Sequence, residues 1–309
     1  MRRICFDKVH ALARKDDRIL YVGSDPGAGT LDAMRREFPE RFFIEGISEA
    51  NVVGLSAGLA IEGFVPYVNT IATFLTRRCF EQVAVDVCLH NLPVRLIGNG
   101  GGLVYAPLGP THTAIEDIGI MRSLPNMAVV CPADADEMGR FMLQTADWPG
   151  PIYIRLGKGG DPVVSAEADG FEIGKAIIKR PPGEVLIVAS GITVQPALQA
   201  ADTLAAEGIA CGVVNLHTIK PLDTETLVRL GRDVRLLVTV EEHTLPGGVG
   251  AAVLEALTAV RGFVLPPVVR LGIPDVFTHK YGSQQDLFRL YGLDAPGIVR
   301  TVRESLVRH

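Results

Sequence analysis

Short apolar, β-branched runs alternate along this chain with longer mixed stretches, and that alternation constrains the fold more than any other feature. Candidate strands fall at 19–23, 41–45, 65–69, 94–98, 127–131 and 152–156, with helical stretches between them at 29–38, 49–61, 77–90, 113–123 and 134–146. Apolar runs separated by helices of this length predict βαβ units around a mostly parallel sheet. Pro132 is placed as a turn residue after a strand, and Asp134 is placed to cap the next helix.

The pattern loosens between Gly157 and Glu184, a stretch opened by Lys158-Gly159-Gly160-Asp161-Pro162 and closed by Pro181-Pro182-Gly183, with room for a short strand near 170–178. Alternation then resumes, with strands predicted at 185–190, 211–216, 236–240 and 268–271 and helices at 193–207, 223–231, 248–259, 283–291 and 295–307. The expected fold class is α/β, in two open α/β domains: 1–165, a linker over 166–183, and a smaller domain over 184–309. A chain of 309 residues is long for one core and comfortable for two.

Charge and composition narrow the function classes. Thirty basic residues stand against 35 acidic ones, a formal net charge of -5 that opposes binding to a phosphate backbone. Hydrophobic residues make up 48%, too many for a disordered chain, and no run reaches the roughly 18 residues of a membrane helix. The start of the chain has no long apolar core of a signal peptide, so a cytoplasmic protein is expected. The five cysteines, Cys5, Cys79, Cys88, Cys131 and Cys211, show no metal-binding spacing and read as buried thiols of a reducing compartment.

Ligands of open α/β sheets sit beyond the C-terminal ends of the strands. The segments there hold the unusual residues. The first is Gly23-Ser24-Asp25-Pro26-Gly27-Ala28-Gly29-Thr30, which is neither a dinucleotide fingerprint nor a P-loop. In the next, Glu49 opens a helix of apolar and small residues, where burial would desolvate its carboxylate; the plain alternative is a charge that stabilises a helix N-terminus. A glycine run, Gly100-Gly101-Gly102, precedes Tyr105 and Gly109-Pro110-Thr111-His112, which puts His112 at the expected opening of a helix. Lys158 follows the strand at 152–156 and is either an anchor for a substrate anion or a solvated cation.

Taken together, these segments resemble the C-terminal portion of the transketolase family, and similarly of deoxyxylulose-phosphate synthase. The resemblance is carried by Glu45 through Gly63, by Thr73-Phe74-Leu75-Thr76-Arg77-Arg78-Cys79-Phe80-Glu81-Gln82, and by Gly109-Pro110-Thr111-His112-Thr113-Ala114-Ile115-Glu116-Asp117. Met121-Arg122-Ser123-Leu124-Pro125, Glu241-Glu242-His243, Gly247-Gly248-Val249-Gly250 and Tyr281-Gly282-Ser283 extend it through the second domain.

The resemblance implies a pyrimidine-binding domain for thiamine diphosphate followed by a transketolase C-terminal domain. Glu49 falls on the glutamate that hydrogen-bonds the cofactor's aminopyrimidine and promotes loss of the thiazolium proton. Phe74 falls on an aromatic that packs against that ring, and Ile71 stands where a second aromatic is common. His112 matches a substrate-facing histidine, Lys158 an arginine that binds the sugar phosphate, and Asp25 an aspartate near the channel. Leu108 replaces an aspartate that recognises a substrate hydroxyl, which points to an altered donor or acceptor. Glu242 and His243 are implied to be structural or interface groups.

The family's Gly-Asp-Gly motif, which holds Mg²⁺ and the diphosphate, is absent from the sequence. The resemblance therefore implies the small subunit of a split transketolase. Such a subunit would pair with a partner carrying the diphosphate and Mg²⁺ site, in an α2β2 heterotetramer that transfers a two-carbon ketol unit from a ketose to an aldehyde. The alternatives are the β subunit of a 2-oxoacid dehydrogenase E1 component and a non-catalytic regulatory paralogue.

Overall fold

A computed structural model describes residues 1–24 and 31–308. The strands are β1 (Ile19–Gly23), β2 (Phe42–Ile44), β3 (Val65–Ile71), β4 (Arg95–Asn99), β5 (Ala128–Val130), β6 (Ile152–Leu156), β7 (Ile177–Arg180), β8 (Val185–Ala189), β9 (Cys211–Asn215), β10 (Thr218–Lys220), β11 (Leu236–Thr244) and β12 (Val268–Ile273). The helices are α1 (Arg2–Ala13), α2 (Asp32–Glu37), α3 (Glu49–Ile61), α4 (Asp117–Arg122), α5 (Ala135–Met142), α6 (Val194–Ala205), α7 (Thr224–Gly231), α8 (Val249–Thr258), α9 (Gln284–Tyr291) and α10 (Ala295–Arg308).

Two α/β layers result. A seven-stranded sheet runs in the order β10-β5-β6-β4-β3-β1-β2 and a five-stranded sheet in the order β12-β11-β8-β9-β7. Pairing is parallel except at one edge of each sheet, where β10 and β7 run antiparallel to their neighbours. The inner strands β1, β6, β8 and β9 are buried at every residue, as expected for strands covered by helices on both faces. Their largely apolar runs are what made them readable.

Outside the loop around His112, three features depart most from the sequence expectation. The first is α1, which was not anticipated because charged residues interrupt its apolar positions. It buries Cys5, Phe6, Val9 and Ala13 in the core that also holds Met138, Phe141 and Met142 of α5. The second is the helix expected at 77–90, which is wound instead as two π-helical stretches, Phe74–Arg78 and Gln82–Cys88. The third is β10, a strand that arises in the second half of the chain yet completes the first sheet. Thr218 pairs with Val130 and Lys220 with Val129, and Lys220 Nζ donates to the carbonyls of Arg122 and Leu124.

The two layers are joined by buried polar contacts. Arg155 on β6 binds both oxygens of Asp117 and donates to the carbonyl of Glu242. Glu242 in turn accepts from the main-chain N–H of Leu103 at 2.8 Å and from Gln284 Nε2 at 2.6 Å. His243 Nε2 accepts from Gly119 N–H, while its Nδ1–H donates to the carbonyl of Thr244, so the ring is held as one neutral tautomer. Burial lowers the pKa of His243 accordingly. Glu241 accepts from the N–H groups of Val249 and Gly250 and holds the first turn of α8.

Candidate active site

A cleft of about 270 Å³ opens at the C-terminal ends of β1, β3 and β4, where an open α/β sheet is expected to hold its ligand. Its walls include Arg2, Ser24, Ile47, Glu49, Asn69, Thr70, Ile71, Phe74, Asn99 and Tyr105. Each comes from a strand end, from the segment that follows one, or from the first turn of α1 or α3.

Glu49 is the first residue of α3 and is only 2% exposed. The desolvation expected of this position is present, together with a counter-ion that local sequence did not reveal. Arg78 Nη1 donates to Glu49 Oε2 at 2.7 Å. The same guanidinium lies 4.6 Å from the centroid of the Phe74 ring, a cation–π geometry. The Phe74 ring meets the imidazole of His112 edge-on, with centroids 5.3 Å apart. Glu49, Arg78, Phe74 and His112 thus form one contiguous chain of contacts.

The segment around His112 is not a helix start. The helix expected from Thr113 begins at Asp117, because Gly102 and Ala114 exchange two backbone hydrogen bonds of 2.9 Å and close a loop of turns and a short 3₁₀ segment, Ala106–Leu108. His112 therefore has no helix amides beside it. Arg77 fixes the loop instead, pairing with Glu116 and donating to the carbonyl of Thr113 at 3.0 Å. His112 Nδ1 shares a hydrogen bond with Thr111 Oγ1.

The glycine run has a packing role. A Cβ on Gly100, at φ +74°, would fall 2.1 Å from the ring of Tyr105, and one on Gly102, at φ +67°, would fall 2.2 Å from Glu242 Oε2. These glycines let the main chain press against a cleft residue on one side and the buried Glu242 on the other.

Of the residues singled out in the sequence, Glu49, Ile71 and Phe74 line the cleft and His112 touches it through Phe74. Leu108 is 55% exposed, and neither it nor Lys158 is among the lining residues. Lys158 is exposed just beyond β6, whose last residue, Leu156, accepts hydrogen bonds from Gly100 and Gly101. Asp25 lies outside the described residues. Sequence reasoning did not select Arg2, Asn69, Thr70, Asn99 or Arg78 as site residues.

The cleft suits a flat, polar heterocycle. Phe74, Ile71 and Ile47 give it apolar walls, Glu49 offers a buried carboxylate, and the Oδ1 atoms of Asn69 and Asn99 are buried without a hydrogen-bond partner. Two unsatisfied amide oxygens in a cleft call for donors from a ligand. An aminopyrimidine brings such donors on its edge and an aromatic face for Phe74, so the residues present fit the ring half of thiamine diphosphate. Among the described residues no group of three or more His, Cys, Asp or Glu is placed to hold a metal ion.

Comparison with known proteins agrees with this architecture. Residues 1–160 match the family model for the transketolase pyrimidine binding domain, and residues 174–298 match that for the transketolase C-terminal domain. The chain belongs to the transketolase family.

Among curated transketolase-family relatives, 1-deoxy-D-xylulose-5-phosphate synthase 1 of Geobacter sulfurreducens is 43% identical, over 97% of this chain and 47% of its own length. The chain spans about half the length of that protein and of the other synthases it matches. The 6-deoxy-6-sulfo-D-fructose transketolase subunit SqwH of Clostridium sp. (strain MSTE9) is 36% identical over 100% of this chain and 95% of its own. A solved structure described as a split gene transketolase, inactive beta4 tetramer, superposes with a TM-score of 0.90 at 37% identity, covering 99% of this chain and 98% of that one. A transketolase from Campylobacter jejuni, at 19% identity and a TM-score of 0.76, shares the fold. Among the described residues no helix is long and apolar enough to cross a membrane.

Proposed function

We propose that this chain is the pyrimidine-binding subunit of a thiamine-diphosphate-dependent, cytoplasmic transketolase that transfers a two-carbon ketol unit from a ketose to an aldehyde. The observation that carries the reading is Glu49, a carboxylate buried at a strand-end cleft beside the aromatic face of Phe74. When bound, thiamine diphosphate supplies a nucleophilic carbon and an electron sink for breaking the bond next to a ketose carbonyl.

This chain's residues do the rest. Glu49 shares a proton with the edge of the aminopyrimidine, and Phe74 and Ile71 hold the ring's faces out of water. His112, standing against Phe74, donates a hydrogen bond to substrate oxygen as charge develops there. The diphosphate and Mg²⁺ are assigned to a second polypeptide, in an α2β2 assembly. The end-to-end similarity to a chain of a split gene transketolase, and to a relative named as a transketolase subunit, supports that assignment. The working domain bounds remain 1–165 and 184–309, with a connection between them.

The donor we favour is a ketose with an anion at its far end, a phosphate or a sulfonate. The sulfofructose in the name of one full-length relative motivates this choice, as does the exposed Lys158 beyond β6. Asp25 is proposed at the same channel and Leu108 at its rim. A second reading, synthesis of 1-deoxy-D-xylulose 5-phosphate, is favoured by the 40–43% identity to synthases of that name. Mass-spectrometric identification of the sugar product separates the two.

The test of the main reading is Glu49→Gln in the complex reconstituted with a diphosphate-binding subunit. Turnover is expected to fall by about 10²-fold or more. Unchanged turnover would refute the role of Glu49.

A further inference from the structure

Arg78 occupies the two surfaces that an aminopyrimidine needs. Its Nη1 is 2.7 Å from Glu49 Oε2, and its guanidinium carbon is 4.6 Å from the centroid of the Phe74 ring. A guanidinium is a flat cation with N–H donors along its edge and a face that stacks on aromatic rings. An aminopyrimidine offers the same pair of features to the same carboxylate and the same phenyl ring. The two therefore compete.

The local geometry makes the competition one-sided in mobility. Glu49 is 2% exposed at the side chain and anchored at the start of α3, whereas the Arg78 side chain is 50% exposed. Arg78 can swing into solvent with modest loss, while Glu49 has no other place to go. Both Phe74 and Arg78 lie in the π-helical stretch Phe74–Arg78, four residues and so about one turn apart, which puts them on the same side of the helix.

We infer that Arg78 is an internal stand-in for the cofactor's ring, a latch that covers Glu49 and a face of Phe74 until the aminopyrimidine displaces it. This inference rests on reading the cleft as an aminopyrimidine site. It makes occupancy of the cleft by the ring and release of Arg78 a single exchange. The ring half of the cofactor then binds the isolated chain more weakly than its contacts alone would allow.

The test uses the full chain without any partner and the ring fragment 4-amino-5-hydroxymethyl-2-methylpyrimidine as probe, titrated by NMR and calorimetry. Arg78→Ala is expected to bind the probe about tenfold more tightly than the native chain, the combined strength of a half-exposed ion pair and a cation–π contact. Arg78→Lys, which keeps the charge and loses the flat face, is expected between the two. Added salt is expected to strengthen probe binding by the native chain and leave Arg78→Ala unmoved, because it screens only the latch. Glu49→Gln in the Arg78→Ala background is expected to lose the gain.

Equal or weaker binding by Arg78→Ala, with binding to the native chain measurable, overturns the latch and leaves the cofactor reading standing. Binding by neither protein, with both melting normally, overturns the latch together with the aminopyrimidine reading.

Discussion

Arg155 is a buried cation with several partners: both oxygens of Asp117, the carbonyls of Ala114 and Glu242, and the Glu242 carboxylate at 3.7 Å. Replacing it with methionine keeps the volume and strands two carboxyl groups away from water. The expected loss of stability is about 3–5 kcal/mol, read from urea unfolding, and a loss below 1 kcal/mol would show the network to be dispensable. The thiols make a second residue-scale case. All five cysteines are free and buried, and burial pushes Cys5, Cys79 and Cys131 up to about 12 and Cys88 and Cys211 to about 11. Iodoacetamide at pH 8 is expected to leave the folded protein unlabelled and to label every cysteine in guanidinium, as mass spectrometry would reveal. At this scale the sequence displayed the groups with local signatures. Glu49 opens an otherwise apolar, small-residue helix, and Phe74 lies in a legible family segment. Arg78 was invisible as a partner because its target is 29 residues away. The same holds for Asn69 and Asn99, whose significance arises only when β3 and β4 end side by side.

Elements followed the sequence wherever a cap or an apolar run was local. Asp134 caps α5 as expected, accepting from Glu137 N–H at 2.9 Å, and its second oxygen receives the N–H groups of Val164 and Ser165. Burial alone would raise its pKa, yet these donors outweigh burial and lower it. A depressed carboxylate contributes stability above its unfolded value and loses it as pH falls through the folded one. Asp134→Ala is therefore expected to cost about 1–3 kcal/mol near neutral pH and progressively less below pH ~4. A constant difference across that range in chemical denaturation would contradict the assignment. Elements were misread where a distant partner overrode local preference. The bridge between Gly102 and Ala114 delays α4, and the wide turns of Phe74–Arg78 replace a regular helix. Neither competitor is written in the residues nearby.

At the scale of the whole molecule, the seam between the two sheets carries buried acids. Glu137, on α5, accepts from Asn215 Nδ2 of β9 at 2.7 Å, and burial pushes its pKa up to about 7. Its folded value thus lies above its unfolded one, so between about pH 4.5 and 7 the folded state holds more proton and stability falls as pH rises. Glu137→Gln is expected to flatten that fall in unfolding experiments run across the range; an unaltered slope would place the titration elsewhere. Domain count and sheet class were legible from alternation alone. The seam was not, because its pairs join residues far apart in the chain. Residues 1–184 expressed alone lack Thr218–Lys220 and leave the β5 edge uncovered, so that fragment is expected to associate and to melt without cooperativity. A monomeric fragment with a sharp melt would show the edge to be tolerable.

That borrowed strand also bears on how such a protein changes over generations. A recombination event that joined this first half to a foreign second half would have to supply a strand matching Val129 and Val130, together with a lysine reaching the carbonyls of Arg122 and Leu124. Crossovers between the two sheets are therefore poor breakpoints, whereas an exchange that carries both sheets together preserves every edge. The smallest heritable unit here is larger than either domain.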